Sequence, residues 1–295
     1  MNDTVLSYER LTDSFLNWAA SERGLRAAAI IGSQARTDHP ADQWSDLDIM
    51  VFVTNVEPYV EDGQWAEQIA PVWLSFVERT PDGAGWERRV LFAGGLDVDF
   101  ALTPAAWLSQ IIAEGIPPDM ADVLRRGYRV LVDKDGLLDK ITHMPLPDIP
   151  LRQAPTQAEF LNAVNDFWYH TLWTARHLRR GELWWAKSGC DGRLKALLHQ
   201  MLEWHTLATK GPAVDTWMRG RFLEEWADPQ AVAELRRCFA HYDAQDIARA
   251  LLATMDTFRW LAFQTAAAWQ YSYPEAAEQA ITRLVLETIA PLTSA

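Results

Sequence analysis

The stretch Leu25-Arg26-Ala27-Ala28-Ala29-Ile30-Ile31-Gly32-Ser33, followed about a dozen residues on by Ser45-Asp46-Leu47-Asp48-Ile49-Met50-Val51-Phe52-Val53, decides how this chain folds. The first segment is a short apolar run that stops at a Gly–Ser pair, which reads as a strand entering a turn. The second is an apolar strand, Leu47–Val53, entered from Ser45–Asp46. Residues two apart in a strand point to the same face, so Asp46 and Asp48 present two carboxylates side by side. Close carboxylates repel and shift each other's protonation, and a divalent cation relieves that repulsion. Mg²⁺ accepts oxygen ligands in octahedral geometry, commonly one or two carboxylates together with phosphate oxygens. Gly32 lets backbone approach a phosphate closely, and Ser33 adds a hydroxyl at a turn with free N–H groups. Triphosphate on the turn and metal on the acids would make a site for in-line displacement at phosphorus.

Outward from this pair the first half alternates strands and helices. Leu11, Phe15, Trp18 and Ala19 recur at helical spacing over about 12–23, and Gly24 ends that helix. Pro40 makes the end of 34–43 a loop. Residues 65–77 read as a helix, 105–113 as another, and 127–132 as a short strand. Strands over 87–92 and 96–102 flank Gly94–Gly95, a hairpin signal. The second of these carries Asp99 between Val98 and Phe100, an apolar setting in which an unpaired carboxylate is costly. If that strand lies beside the Asp46–Asp48 strand, all three acids meet at one edge. Pro145, Pro147, Pro150 and Pro155 then make residues 145–155 an extended linker. Beyond it the pattern becomes helical, over about 157–180, 191–209, 229–240, 244–271 and 275–289. The fold class expected is α+β: a mixed-sheet domain over 1–145 and an all-helical bundle over 156–295.

Charge divides the chain in the same place. Residues 1–150 hold 24 acidic and 12 basic residues, and residues 151–295 hold 16 and 15. So acidic a first half excludes a binder that tracks nucleic-acid phosphates and suits a metal site or a cationic substrate. Cys190 and Cys238 form neither a disulfide framework nor a CxxC pair. No apolar run is long enough to span a bilayer, and Met1-Asn2-Asp3-Thr4 is no secretory signal, so a cytoplasmic protein without membrane attachment is expected. His170, His177, His199 and His205 sit at helical positions without ligand spacing and read as structural, with no zinc.

The ordered set of strand, Gly–Ser turn, DxD and later acidic strand resembles the motif of the DNA polymerase β-like nucleotidyltransferases. The wider stretch from Ile31 to Glu57 is similar to the aminoglycoside 6-adenylyltransferases, which modify streptomycin. The likeness continues at Glu159-Phe160, at Asp166-Phe167-Trp168, from Arg180-Gly181-Glu182 to Leu202-Glu203-Trp204-His205, and at Arg221-Phe222-Leu223. It departs at Lys187-Ser188-Gly189, where apolar residues would be expected, and in the few bases before Arg221. The resemblance implies transfer of AMP from ATP to an aminoglycoside hydroxyl, the 6-position of streptomycin foremost, and hence antibiotic resistance. It implies that Asp46 and Asp48 bind Mg²⁺ and that Asp99 binds metal or serves as base. It places Gly32, Ser33, Arg36 and Lys195 with the nucleotide.

A cationic sugar is held well by carboxylates and aromatic faces. Nine of the 15 tryptophans follow residue 150. Asp166, Trp168, Trp185 and Asp191 are the acceptor contacts expected from that group, with Trp184 beside them, while Trp173, Trp260 and Trp269 read as core. A monomer or homodimer is expected. Two other readings keep the fold: transfer to another small hydroxyl compound such as a lincosamide, and a nucleotide-binding regulator without turnover.

Overall fold

The computed structural model describes residues 7–80, 83, 85–148 and 151–293; the readings of Met1–Thr4 and of Pro150 lie outside them. Two units divide the chain, Met1–Pro150 and Leu151–Ala295. The first contains α1 (Tyr8–Ser21), β1 (Leu25–Ile31), β2 (Leu47–Val53), α2 (Glu57–Glu61), β3 (Val72–Arg79), β4 (Trp86–Phe92), β5 (Leu96–Pro104), α3 (Ala106–Glu114), α4 (Pro118–Arg126), β6 (Arg129–Asp133) and α5 (Leu137–Thr142). The strands form one six-stranded sheet in the order β3-β4-β5-β2-β1-β6. The β2–β5 pairing is parallel; β1–β2, β1–β6, β3–β4 and β4–β5 are antiparallel.

Strand parity sorts the sheet into two faces. Leu47, Ile49 and Val51 of β2 pack with Leu11, Phe15 and Trp18 of α1 and with Val98, Phe100 and Leu102 of β5. Ala27 and Ala29 of β1 and Phe52 of β2 point the other way, into a core with α3, α4 and α5. Asp48 and Asp99 share the parity of this second face. The fold therefore puts the acids on the α3–α5 side of the sheet, near the first residues of β2 and β5.

Residues 65–77 are not a helix. A short 3₁₀ turn, Gln64–Gln68, ends before Pro71, and β3 follows as an edge strand. The apolar residues Val72, Trp73, Phe76 and Val77 imitate helical spacing, but they are β-branched or aromatic, and Val72, Phe76 and Val77 pair with β4 while Trp73 falls at an irregularity in the register. Three short helices, α2, α4 and α5, were not expected. Pro118 opens α4 at a position where its missing N–H costs nothing.

The second unit contains α6 (Gln157–Arg179), α7 (Leu183–Ser188), α8 (Leu194–Lys210), α9 (Leu223–Trp226), α10 (Pro229–Cys238), α11 (Ala244–Trp269) and α12 (Glu275–Thr293). Thr156 and Glu159 close a capping box at the start of α6. A π-helical segment, Gly189–Arg193, joins α7 to α8, so the helix expected from 191 begins eight residues earlier. One core, including Phe160, Phe167, Leu198, Met201, Leu251 and Phe258, fills the bundle. No helix among the described residues is long and apolar enough to cross a membrane.

Candidate active site

β1 delivers Gly32 and β2 delivers the acids. Ile31 pairs with Asp48 across β1–β2, and Asp48 pairs with Asp99 across β2–β5. Gly32 has φ +68°, a left-handed conformation, and a Cβ there would lie 2.1 Å from Asp48 Oδ2. Only glycine brings the turn this near the carboxylate. The turn continues as one 3₁₀ turn, Gly32–Gln34, and the Ala35 and Arg36 N–H groups both donate to the Gly32 carbonyl.

Asp46, Asp48 and Asp99 each offer a carboxylate oxygen, and these lie within 4.8 Å of one another. Asp99 is 3% exposed. Its Oδ2 accepts from Arg89 Nη1, while Oδ1 is buried without a hydrogen-bond partner. Burial pushes the Asp99 carboxyl up to about 7; Arg89 pulls it down, and Glu87, Asp48 and Asp97 push it further up. Asp97 is also raised, first by burial and then by Asp46. An all-oxygen set with one buried, unpartnered carboxylate oxygen fits a hard divalent cation such as Mg²⁺. Ser33 Oγ, likewise buried and unpartnered, is a second orphan beside the same turn.

Two residues of this site were missed in the sequence. Arg89 on β4 faces Asp99 across β4–β5 and also pairs with Glu78 and Glu87, so one guanidinium bridges three carboxylates. The signal was the Arg88–Arg89 pair, since adjacent strand residues must face opposite sides. Arg88 goes to the other face, where its guanidinium donates to the Tyr59 and Val60 carbonyls and to Ser75 Oγ. The second is Gly127, where a Cβ would lie 2.4 Å from the Ala35 carbonyl. Its missing side chain lets the chain after α4 close against the turn at Ala35 and Arg36.

The other expected contacts are distributed differently. Arg36 is half-buried and donates Nε to the His39 carbonyl at 2.9 Å, which ties down the loop after the turn. Lys195 belongs to the helical unit. Its Nζ donates to Thr254 Oγ1 at 2.9 Å and to the Cys190 carbonyl at 3.0 Å, and lies 3.6 Å from Asp191. Its side chain is largely withdrawn from solvent, at 9% relative exposure, rather than solvated. Trp168 is corrected: it is 1% exposed, its indole N–H donates to Tyr273, and it stacks edge-on against Phe167 and Phe258. It is a core residue because its one polar atom is satisfied inside the bundle. Trp184 and Trp185 are exposed. Asp166 pairs with Arg193 and His170, and Asp191 with Lys187. Trp173, expected in the core, is only half-buried and packs on His177 and Trp185; Trp260 and Trp269 lie against the core.

A family model described as Streptomycin adenylyltransferase matches residues 6–287. The chain is 25% identical over 276 residues to an aminoglycoside 6-adenylyltransferase of Bacillus subtilis (strain 168), covering 91% of this chain and 93% of the relative. It is 24% identical over 275 residues to an aminoglycoside 6-adenylyltransferase of Campylobacter jejuni, covering 91% of each. Among solved structures, an aminoglycoside 6-adenyltransferase from Bacillus subtilis aligns with TM-score 0.45 and 21% identity, over 96% of this chain and 99% of that one.

Proposed function

This chain belongs to the streptomycin adenylyltransferase family, and from that premise we propose that it transfers AMP from ATP to a hydroxyl of an aminoglycoside, the 6-hydroxyl of streptomycin foremost. It is a nucleotidyltransferase enzyme. The observation that carries the reading is the convergence of Asp46, Asp48 and Asp99 within 4.8 Å beside a glycine turn. In this proposal Asp46 and Asp48 hold Mg²⁺, and Asp99 either joins them as a ligand or serves as the base. When bound, the ion offsets negative charge on the phosphates and on the attacking oxygen.

The chain's own residues do the rest. Gly32 and Ser33 seat the triphosphate, the Ser33 hydroxyl donating its unmet hydrogen bond to a phosphate oxygen. Arg36 and Lys195 extend the nucleotide contacts, Lys195 by exchanging an internal partner. In the base role Asp99 takes the proton of the acceptor hydroxyl, which a carboxyl pushed up to about 7 and free of the metal suits. The hydroxyl oxygen forms the new bond to the α-phosphorus as the bond to the β-phosphate oxygen breaks, and pyrophosphate leaves. Asp166, Asp191 and Trp185 hold the cationic acceptor, and an excess of acids in the first unit favours its approach. Modification in the cytoplasm, where ATP is available, would confer resistance.

Purified protein with Mg²⁺, ATP and a panel of aminoglycosides should release pyrophosphate with streptomycin, and more from ATP than from GTP or CTP. Absence of release with every aminoglycoside would refute the proposal. Asp48→Asn should abolish transfer while circular dichroism and the unfolding midpoint stay native-like, because an isosteric amide cannot supply the charge. Undiminished turnover in that variant would remove the acids from the reaction.

A further inference from the structure

The helical unit holds a cleft of about 690 Å³ along α6 and α12. Its volume lies in the range that takes a drug-sized molecule. Along α6 the lining runs from Asn165 to Arg180, about 22 Å of helix. The earlier turns contribute an apolar and aromatic wall from Tyr169, Leu172 and Trp173, and α12 faces it with Ile281. The last turn contributes Arg176 and Arg179. Both are exposed, and neither has an ion-pair partner among the described residues, whereas the adjacent Arg180 is paired with Glu182 at 2.8 Å.

Charge decides what this cleft can take. Two guanidiniums without ion-pair partners among the described residues, beside apolar walls, disfavour a polycationic sugar, which sets the cleft apart chemically from the acceptor site proposed above, although its Trp173 packs on Trp185. Basic residues in the last turn also complement the dipole of α6, which accounts for their placement on the helix. That does not account for their convergence on a concave aromatic surface. Guanidinium groups bind carboxylate and phosphate in a planar, two-point manner. We propose that this cleft is a second ligand site, for an aromatic anion bearing a carboxylate or a phosphate. The ring would lie between Tyr169, Trp173, Leu172 and Ile281, with the head group on Arg176 and Arg179. The proposal does not depend on the identity of the reaction.

The test is calorimetric titration of the full chain at neutral pH with 1-naphthoate, 1-naphthyl phosphate and, as the neutral control, 1-naphthol. One anion or both should bind at one site per chain, and whichever binds more tightly identifies the head group. The double variant Arg176→Gln/Arg179→Gln should weaken anion binding about tenfold or more and leave 1-naphthol unchanged. Neither arginine has an ion-pair partner to lose among the described residues, so the variant should unfold at the wild-type midpoint and keep its transferase activity. Ile281→Trp, which fills the cleft, should abolish binding of all three probes. Failure of both anions to saturate, wild-type anion affinity in the double variant, or displacement of the probes by Mg²⁺-ATP or streptomycin would each overturn the proposal.

Discussion

Asp99 and Gly32 are the residues on which the site turns, and each makes a different demand. Gly32 sits at φ +68° with the space of its absent Cβ taken by the Asp48 carboxylate. Gly32→Ala should cost about 1–3 kcal/mol of stability through strain and overpacking. Pyrophosphate release should fall further than that loss alone explains, because Asp48 must move; denaturant midpoints and turnover measured together separate the two effects. Asp99, with its carboxyl near 7, makes the metal-free protein sensitive to pH. Its folded value lies above the unfolded one, so the folded state binds the extra proton. Its contribution to stability therefore declines as pH rises from about 4 through 7, by at most about 1.4 kcal/mol per unit. Metal binding needs the ionised form, so affinity should move the opposite way. Mn²⁺ should bind about tenfold more weakly at pH 6 than at pH 8, releasing a proton at pH 6 and almost none at pH 8. Calorimetry in buffers of different ionisation enthalpy reads both. Asp46 and Asp48 were legible because two residues two apart at the entry of one strand fix their own relation. Arg89 was not, because its partner lies on another strand and only the register brings them opposite.

At the scale of elements, the parallel β2–β5 pairing is what turns three acids into one site. β1 and β2 were readable with their bounds because each is a short apolar run closed by polar or glycine residues. Their neighbours were not, because pairing is a choice between strands. β3 shows how local pattern misleads: its apolar spacing fits a helix as well as a strand, and β4 decides between them. The π segment Gly189–Arg193 is a second case. There the departure at Lys187-Ser188-Gly189 marks a close crossing. A Cβ on Gly189 would lie 2.7 Å from both Thr174 Oγ1 and the Trp173 ring. Gly189→Ala should therefore destabilise the protein by about 1–3 kcal/mol, read as a lower thermal midpoint. An unshifted midpoint would mean that α6 yields at this crossing.

At the scale of the whole molecule, two cores, one on each face of the sheet, precede a Pro-rich segment in sequence and the bundle core follows it. Arg152 and its neighbours from 151 to 154 are exposed and belong to no helix or strand. Trypsin should therefore cut after Arg152 before any bond inside an element, leaving two fragments of nearly equal size in a mass spectrum. First cleavage inside α6 or β5 would contradict this picture. Composition, periodicity and the proline run by themselves determined a mixed sheet domain, a helical domain and the Gly32–Ser33/Asp46–Asp48 pair, because these rest on neighbours along the chain. Tertiary structure alone decided that Asp99 stands beside Asp48, that Arg89 bridges Asp99 to Glu78 and Glu87, and that Trp168 and Lys195 face inward. It also decided that Arg176 and Arg179 border a cleft. Those are relations between residues far apart in sequence, and they exist only once the strands have chosen partners and the helices have packed.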